Sequence, residues 1–181
     1  MSDHNASAAT AADAPAVPMA AGMVPLTGGT LWLAALVLAA ANFMAVLDMT
    51  VANVSVPSIA GNLGATTSQG TWVITSYAVA EAITVPLTGW LAARFGAVRV
   101  FATAMGLFGL ASLLCGLANS LGMLVFARIL QGLAGGPLMP LSQSLLLRIF
   151  PPRMAPAAIG LWSMTTLIAP VLGPIVGGWI C

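Results

Sequence analysis

The chain has 181 residues, of which 60% are apolar and 5% charged, and its mean hydropathy is +1.03. A soluble domain carries about a quarter charged residues, and five arginines with four acidic residues cannot coat a water-soluble globule of this size; a cytosolic enzyme is excluded and the bilayer is the expected solvent. The net charge of +1, without a single lysine, also excludes a nucleic-acid binder, which needs a basic footprint.

Residues 1–29 form a tail rich in Ala, Pro, Gly, Ser and Thr, with Asp3, His4 and Asp13. Without hydrophobic periodicity or a basic start it reads as a disordered cytoplasmic extension and not as a signal peptide. Everything after it is apolar with short interruptions. Since a spanning helix needs about 20 apolar residues, the expected fold is all-α, with five transmembrane helices. They cover about 31–59, 71–93, 98–117, 121–150 and 157–181. The breaks are the polar stretch 60–70, the Arg94-Phe95-Gly96 turn, Ala118-Asn119-Ser120 and Pro151-Pro152-Arg153.

Orientation follows from the arginines. Arg94 and Arg99 lie between spans two and three, Arg148 and Arg153 between spans four and five, and the other two loops carry no basic residue. Alternate loops share a side and cytoplasmic loops are enriched in Lys and Arg, so all four arginines are expected inside. The N-terminus is then cytoplasmic and Cys181 outside.

Three ionisable residues lie within the apolar runs: Asp48, Glu81 and Arg128. A charge at mid-membrane costs about 2.5–3.5 kcal/mol on insertion scales, so such residues face a bundle interior or an aqueous cavity. At 1.5 Å rise per residue, Asp48 falls about 16 Å, Glu81 about 15 Å and Arg128 about 10 Å below the outer ends of their spans. That places all three in one layer and suggests a common cavity. A structural ion pair is the plain alternative, and for Arg128, which does not usefully deprotonate, the two readings weigh equally. For the two carboxylates, desolvation favours the neutral acid, which suits a proton carrier. Gln131, three residues from Arg128, is expected on a similar face. Asn42, Asn53, Ser142, Gln143 and Ser144 read as interhelical glue.

Gly132 and Gly136 are spaced four apart on span four, as are Gly173 and Gly177 on span five, where Pro170, Pro174 and Gly178 join them. Small residues allow close helix approach and proline removes a backbone hydrogen bond. The cluster at 170–178 reads as a pliable or closely packed gate helix. Trp32, Trp72, Trp90 and Trp179 sit near span ends, as interfacial anchors do; Trp162 and Tyr77 face either the cavity or another helix. One histidine, His4, and two cysteines, Cys115 and Cys181, offer no metal set, triad or disulfide framework.

Four motifs together resemble a known family. Leu47-Asp48-Met49-Thr50-Val51-Ala52-Asn53-Val54-Ser55-Val56-Pro57 is similar to the first-span signature of fourteen-span drug/proton antiporters in the major facilitator superfamily. The stretch Gly89-Trp90-Leu91-Ala92-Ala93-Arg94-Phe95-Gly96, followed by Arg99, resembles the superfamily's loop motif between spans two and three. Arg128 to Gly136 looks like its fourth-span motif, and Ala169 to Gly178 like the fifth-span motif of exporters. The stretches Gln69 to Ser76 and Pro140 to Leu147 narrow the resemblance to EmrB-type multidrug exporters.

The resemblance implies export of hydrophobic or amphipathic drugs across the bacterial inner membrane, driven by the proton gradient without a cofactor. It also implies a periplasmic adaptor and an outer-membrane channel as partners. By position, Asp48 would be a proton- or substrate-coupling carboxylate and Arg128 would support proton transfer. Gly173, Pro174, Gly177 and Gly178 would form the exporter gate, whereas Glu81 has no matching family role. Two departures stand out. Ala93 replaces the usual Asp of the loop motif, with Ala97 and Val98 at its basic positions, and the chain holds only five spans where the family has two six-helix bundles and two further helices. Substrate sites in such folds lie between the halves, so the chain is expected to be an N-terminal portion of a longer transporter. The alternatives are a truncated, non-transporting remnant or interaction protein, and a metabolite or sugar carrier on the same fold. An enzyme is the least favoured, for want of a nucleophile–base pair or phosphate loop.

Overall fold

The structure, a computed structural model, describes residues 28–62, 64 and 66–180. All but the last two residues of the expected disordered tail lie outside them, as does Cys181. The regular structure among the described residues is helical throughout: α1 Gly29–Asn62, α2 Thr67–Phe95, α3 Ala97–Gly116, α4 Leu121–Gly135, α5 Leu138–Ile149, a 3-10 turn Pro152–Met154, and α6 Ala155–Ile180.

Local chemistry sets these boundaries. α2 begins four residues before the apolar run at Thr71 because Thr66 and Gln69 form a capping box. The Gln69 amide donates to Thr66 Oγ1 at 3.3 Å and the Thr66 amide donates to Gln69 Oε1 at 2.9 Å, satisfying two amides that a helix start leaves orphaned. Ser120 does the same for α4, its Oγ accepting from the Met123 amide at 3.3 Å. Between α2 and α3 the whole connection is Gly96, with φ 88° and ψ 131°, backbone that only a residue without Cβ adopts at low cost.

The stretch 121–150, expected as one span, is two helices. Gly136 and Pro137 separate α4 from α5, although both keep right-handed helical angles. Pro137 and Pro140 have no N–H to donate, so the helical ladder thins here while the rod continues. Pro86 in α2 and Pro170 and Pro174 in α6 are carried inside unbroken helices, as spanning helices permit.

Five membrane-length rods result, α4 and α5 together making one. Gly29–Val56, Ala97–Gly116, Leu121–Ile149 and Ala155–Gly178 are each long and apolar enough to cross a membrane. α2 is long enough at 29 residues but carries Glu81, Arg94 and a run of Thr and Ser, which lower its hydropathy. α1 lies chiefly along α6 and also touches α5 and α2; α4 is held between α2 and α3. One apolar core, including Leu38, Tyr77, Phe101, Phe108, Leu138 and Leu145, joins all five rods. A smaller cluster of Val56, Val73 and Leu124 closes the opposite end. At the arginine-bearing end the Trp32 and Phe150 rings meet edge to face at 5.8 Å, which sets the start of α1 against the end of α5.

Candidate functional site

Two close helix contacts build the site. On α4, Gly132 lies against the backbone of α2: a Cβ there would overlap the Tyr77 carbonyl oxygen and come within 2.9 Å of Ala80 Cβ. One turn on, a Cβ at Gly136 would collide with Thr84 Oγ1 and lie 3.0 Å from the Glu81 carbonyl oxygen. On α6, Gly173 faces Thr50 of α1 with no room for a side chain, and a Cβ at Gly177 would stand 3.3 Å from Val54 Cβ. Both pairs are the small-xxx-small arrangement that lets spanning helices touch through their backbones. Thr50 and Thr84 can sit at these contacts because each hydroxyl donates to its own helix, Thr50 Oγ1 to Leu47 O at 2.9 Å and Thr84 Oγ1 to Ala80 O at 3.1 Å.

These approaches bring the ionisable residues inward. Arg128 Nη1 of α4 donates to Asp48 Oδ2 of α1 at 2.7 Å, with side-chain exposures of 11% and 21%. It is the one ion pair among the described residues. Arg128 Nε is buried and has no partner, so the guanidinium retains donor capacity beyond the pair. Tyr77, buried on α2, points its hydroxyl at Gly135 of α4, where a Cβ would stand 2.9 Å from it. The Glu81 carboxylate, on a half-buried residue, makes no hydrogen bond or ion pair among the described residues, so the layer contains one paired and one unpaired carboxylate.

Gln131 pairs with α3 and not with Asp48. It is 0% exposed and turned toward α3, where its Oε1 accepts from Cys115 Sγ at 3.4 Å and its Nε2 has no partner. A three-residue step rotates a helical side chain by about 60°, enough to send Arg128 to α1 and Gln131 to α3. A second polar chain links α1, α5 and α6. Asn42, also 0% exposed, donates through Nδ2 to Thr166 Oγ1 at 2.8 Å and Thr165 Oγ1 at 3.4 Å. Both threonines donate to the Trp162 carbonyl, and Trp162 Nε1 donates to Ser142 Oγ at 3.1 Å.

The remaining expected positions divide. Within 170–178, Gly173 and Gly177 are buried against α1, while Pro170, Pro174 and Gly178 face outward and a Cβ at Gly178 would touch nothing. In the loop motif, Gly89 is exposed, Gly96 makes the turn, and Arg94 lies against the Trp90 and Phe95 rings at 5.9 and 6.0 Å. A cavity of about 490 Å³ opens at this end, lined by Arg94, Arg99, Leu91, Leu107, Leu133 and others; it lies away from the Asp48 layer. Tyr77, Thr50 and Cys115 are site neighbours that sequence reasoning did not assign. Tyr77 alone left a signal, standing four residues before Glu81 and so on the same helix face.

A bundle of membrane-length helices, glycine-packed in pairs around a half-buried Asp–Arg ion pair, defines a multi-pass membrane protein of the transporter type. The family model of the Major Facilitator Superfamily matches residues 38–181, and the chain belongs to that superfamily. It is 55% identical over 157 residues to the probable multidrug resistance protein EmrY of Escherichia coli, covering 87% of this chain and 31% of that protein. It is 56% identical over 156 residues to the multidrug export protein EmrB of Haemophilus influenzae (86% and 31% covered) and 59% identical over 156 residues to the fatty acid resistance protein FarB of Neisseria gonorrhoeae (86% and 31%). The chain thus spans about a third of the length of the curated relatives it matches. Its fold is similar to that of a solved bacterial homologue of the human lysosomal transporter Spinster, in an inward-facing and unoccupied conformation. The TM-score is 0.74 at 22% identity, covering 84% of this chain and 32% of that one.

Proposed function

We propose that the chain is part of a proton-coupled exporter of hydrophobic or amphipathic drugs. The observation that carries this reading is the Asp48–Arg128 pair, half-buried between α1 and α4, in a chain more than half identical, over the part they share, to proteins named for multidrug export. An isolated charge in this medium is costly, and removing one partner of a buried pair leaves the other uncompensated. Protonation of Asp48 neutralises the carboxylate and frees Arg128 from it, so proton occupancy and the α1–α4 contact are linked. In the complete transporter that linkage biases the rocking of one half against the other, and drug and proton reach the shared cavity in alternation. Glu81, unpaired on the neighbouring α2, is a second proton acceptor beside Tyr77. Gly173 and Gly177 allow α6 to pack against α1 at Thr50, close in sequence to Asp48, and Pro170, Pro174 and Gly178 make α6 pliable there. Gly96 makes the tight cytoplasmic turn, with Arg94 and Arg99 on either side of it and Gly89 two turns back on α2.

The localisation in this reading is the bacterial inner membrane with the N-terminus cytoplasmic, supported by the four loop arginines sharing one side. A periplasmic adaptor and an outer-membrane channel complete the route out of the cell. The energy source is the proton gradient, without a cofactor, and the chain performs no catalysis. The fatty acids in the name of FarB fall within the amphipathic class of cargo.

Drug survival tests this reading. In efflux-deficient cells the full-length transporter carrying this segment is expected to raise tolerance to amphipathic drugs, and D48N is expected to abolish that protection at equal membrane abundance. Protection unaffected by D48N would remove the coupling role from this residue.

A further inference from the structure

We propose that the groove between α2, α3 and α4 holds one anionic phospholipid of the leaflet on the arginine-bearing side, with its phosphate on Arg94 and Arg99 and an acyl chain along α3. The groove is a cavity of about 490 Å³ with two guanidinium groups and Thr103, whose hydroxyl donates to its own helix, among apolar walls that include Leu91, Val100, Leu107 and Leu133.

The charges have no counterpart in the bundle. Within residues 28–180 the only carboxylates are Asp48 and Glu81. Asp48 is held by Arg128, and Glu81 is about 20 Å from Arg94 along the axis of α2. Neither Arg94 nor Arg99 has an acidic partner among the described residues. Arg94 lies against the faces of Trp90 and Phe95, a placement that fixes the cation yet leaves its N–H edge free. A planar donor fork of that kind fits a phosphate in bidentate fashion.

The rest of the groove selects among anions. Leu107, 58% exposed, lines it and begins an outward stripe with Leu110 and Leu113 on α3. Leu107 lies about 12 Å along α3 from Arg99, a separation an acyl chain covers from its headgroup. A free phosphate would leave the apolar wall uncovered, and an acidic peptide would bring unsatisfied backbone into hydrocarbon. A phosphodiester with acyl chains satisfies both ends, as basic pockets between spanning helices at a cytoplasmic face do for anionic lipids.

Native mass spectrometry of the full-length protein carrying this segment tests the proposal, using phosphatidylglycerol and phosphatidylethanolamine with identical acyl chains. The wild-type protein is expected to retain phosphatidylglycerol at least tenfold over phosphatidylethanolamine. Each arginine near an anionic headgroup contributes a factor of about five, so R94Q/R99Q is expected to reduce phosphatidylglycerol retention about 30-fold. R148Q/R153Q, which removes the same charge from the other arginine loop, is expected to change it less than twofold. Equal retention of both lipids by the wild-type protein would overturn the proposal, and that comparison does not depend on any variant folding. Unchanged retention by R94Q/R99Q, or displacement of the lipid by inorganic phosphate, would also overturn it. So would an efficient cross-link from L107C to another segment of the protein, since protein would then fill the groove.

Discussion

Arg128 on α4 and Asp48 on α1, 80 residues apart in sequence, meet at 2.7 Å, and no other described carboxylate is within an ion pair. The pair therefore ties two non-consecutive helices by charge. Asp48→Asn or Arg128→Met alone is expected to destabilise the bundle by about 3 kcal/mol, because each leaves its partner's charge uncompensated in a half-buried site. The double variant D48N/R128M should recover part of that loss. A double-mutant cycle on unfolding in detergent is expected to give a coupling of about 1–3 kcal/mol; additivity would show that the contact is energetically idle.

The glycines on α4 and α6 differ from those elsewhere by what surrounds them. Gly132→Ala is expected to cost about 1–3 kcal/mol, since its Cβ would overlap the backbone carbonyl of Tyr77, which cannot rotate away. Gly173→Ala should cost a similar amount, and Thr50→Ala should not rescue it, because the Thr50 Cβ itself is in the way. Gly89→Ala, where a Cβ would meet nothing within 4 Å, is expected to be neutral or slightly stabilising. Thermal melting of the three variants side by side reads these differences.

Gly96 has open space around it but φ at 88°. Substitution there costs backbone strain alone, about 1–3 kcal/mol for Gly96→Ala, with Gly96→Val no better. The melting temperature of G96A checks this; a value equal to wild type would mean that the α2–α3 joint tolerates another conformation.

Asn42 joins α1 to α6 through Thr165 and Thr166. Interhelical hydrogen bonds in membranes contribute about 0.6 kcal/mol on average and up to about 1.7, so Asn42→Ala is expected to lose about 1 kcal/mol. Thr166→Val, which keeps the volume and removes the hydroxyl, should lose nearly as much. Unfolding free energies of N42A and T166V decide it, and no loss in either would reduce the network to packing.

Much of this arrangement was legible in the chain. Asp48 and Arg128 were identifiable because a charge in a long apolar run has few tolerable positions, and their depths along the helices put them in reach of each other. The glycine spacing on α4 and α6 likewise pointed to close helix contacts. Rotation about the helix axis was not legible: α1 and α6 are apolar on nearly every face, so no polar stripe shows which residues turn inward. For that reason the expected gate residue Gly178 touches nothing while Gly173 seats against Thr50; on α4 the three-residue step between Arg128 and Gln131 hid a rotation of about 60°, and Gln131 packs on Cys115. The early start of α2 came from the side-chain cap at Thr66, which a hydropathy pattern does not register.

The central claim is that Asp48 couples proton movement to drug export. Its most direct test is drug-driven proton flux in proteoliposomes containing the full-length transporter that carries this segment, followed with an internal pH dye. The wild-type protein is expected to exchange protons for drug, E81Q to retain part of the flux, and D48N to abolish it while still binding drug. Wild-type proton flux in D48N/E81Q would contradict the account.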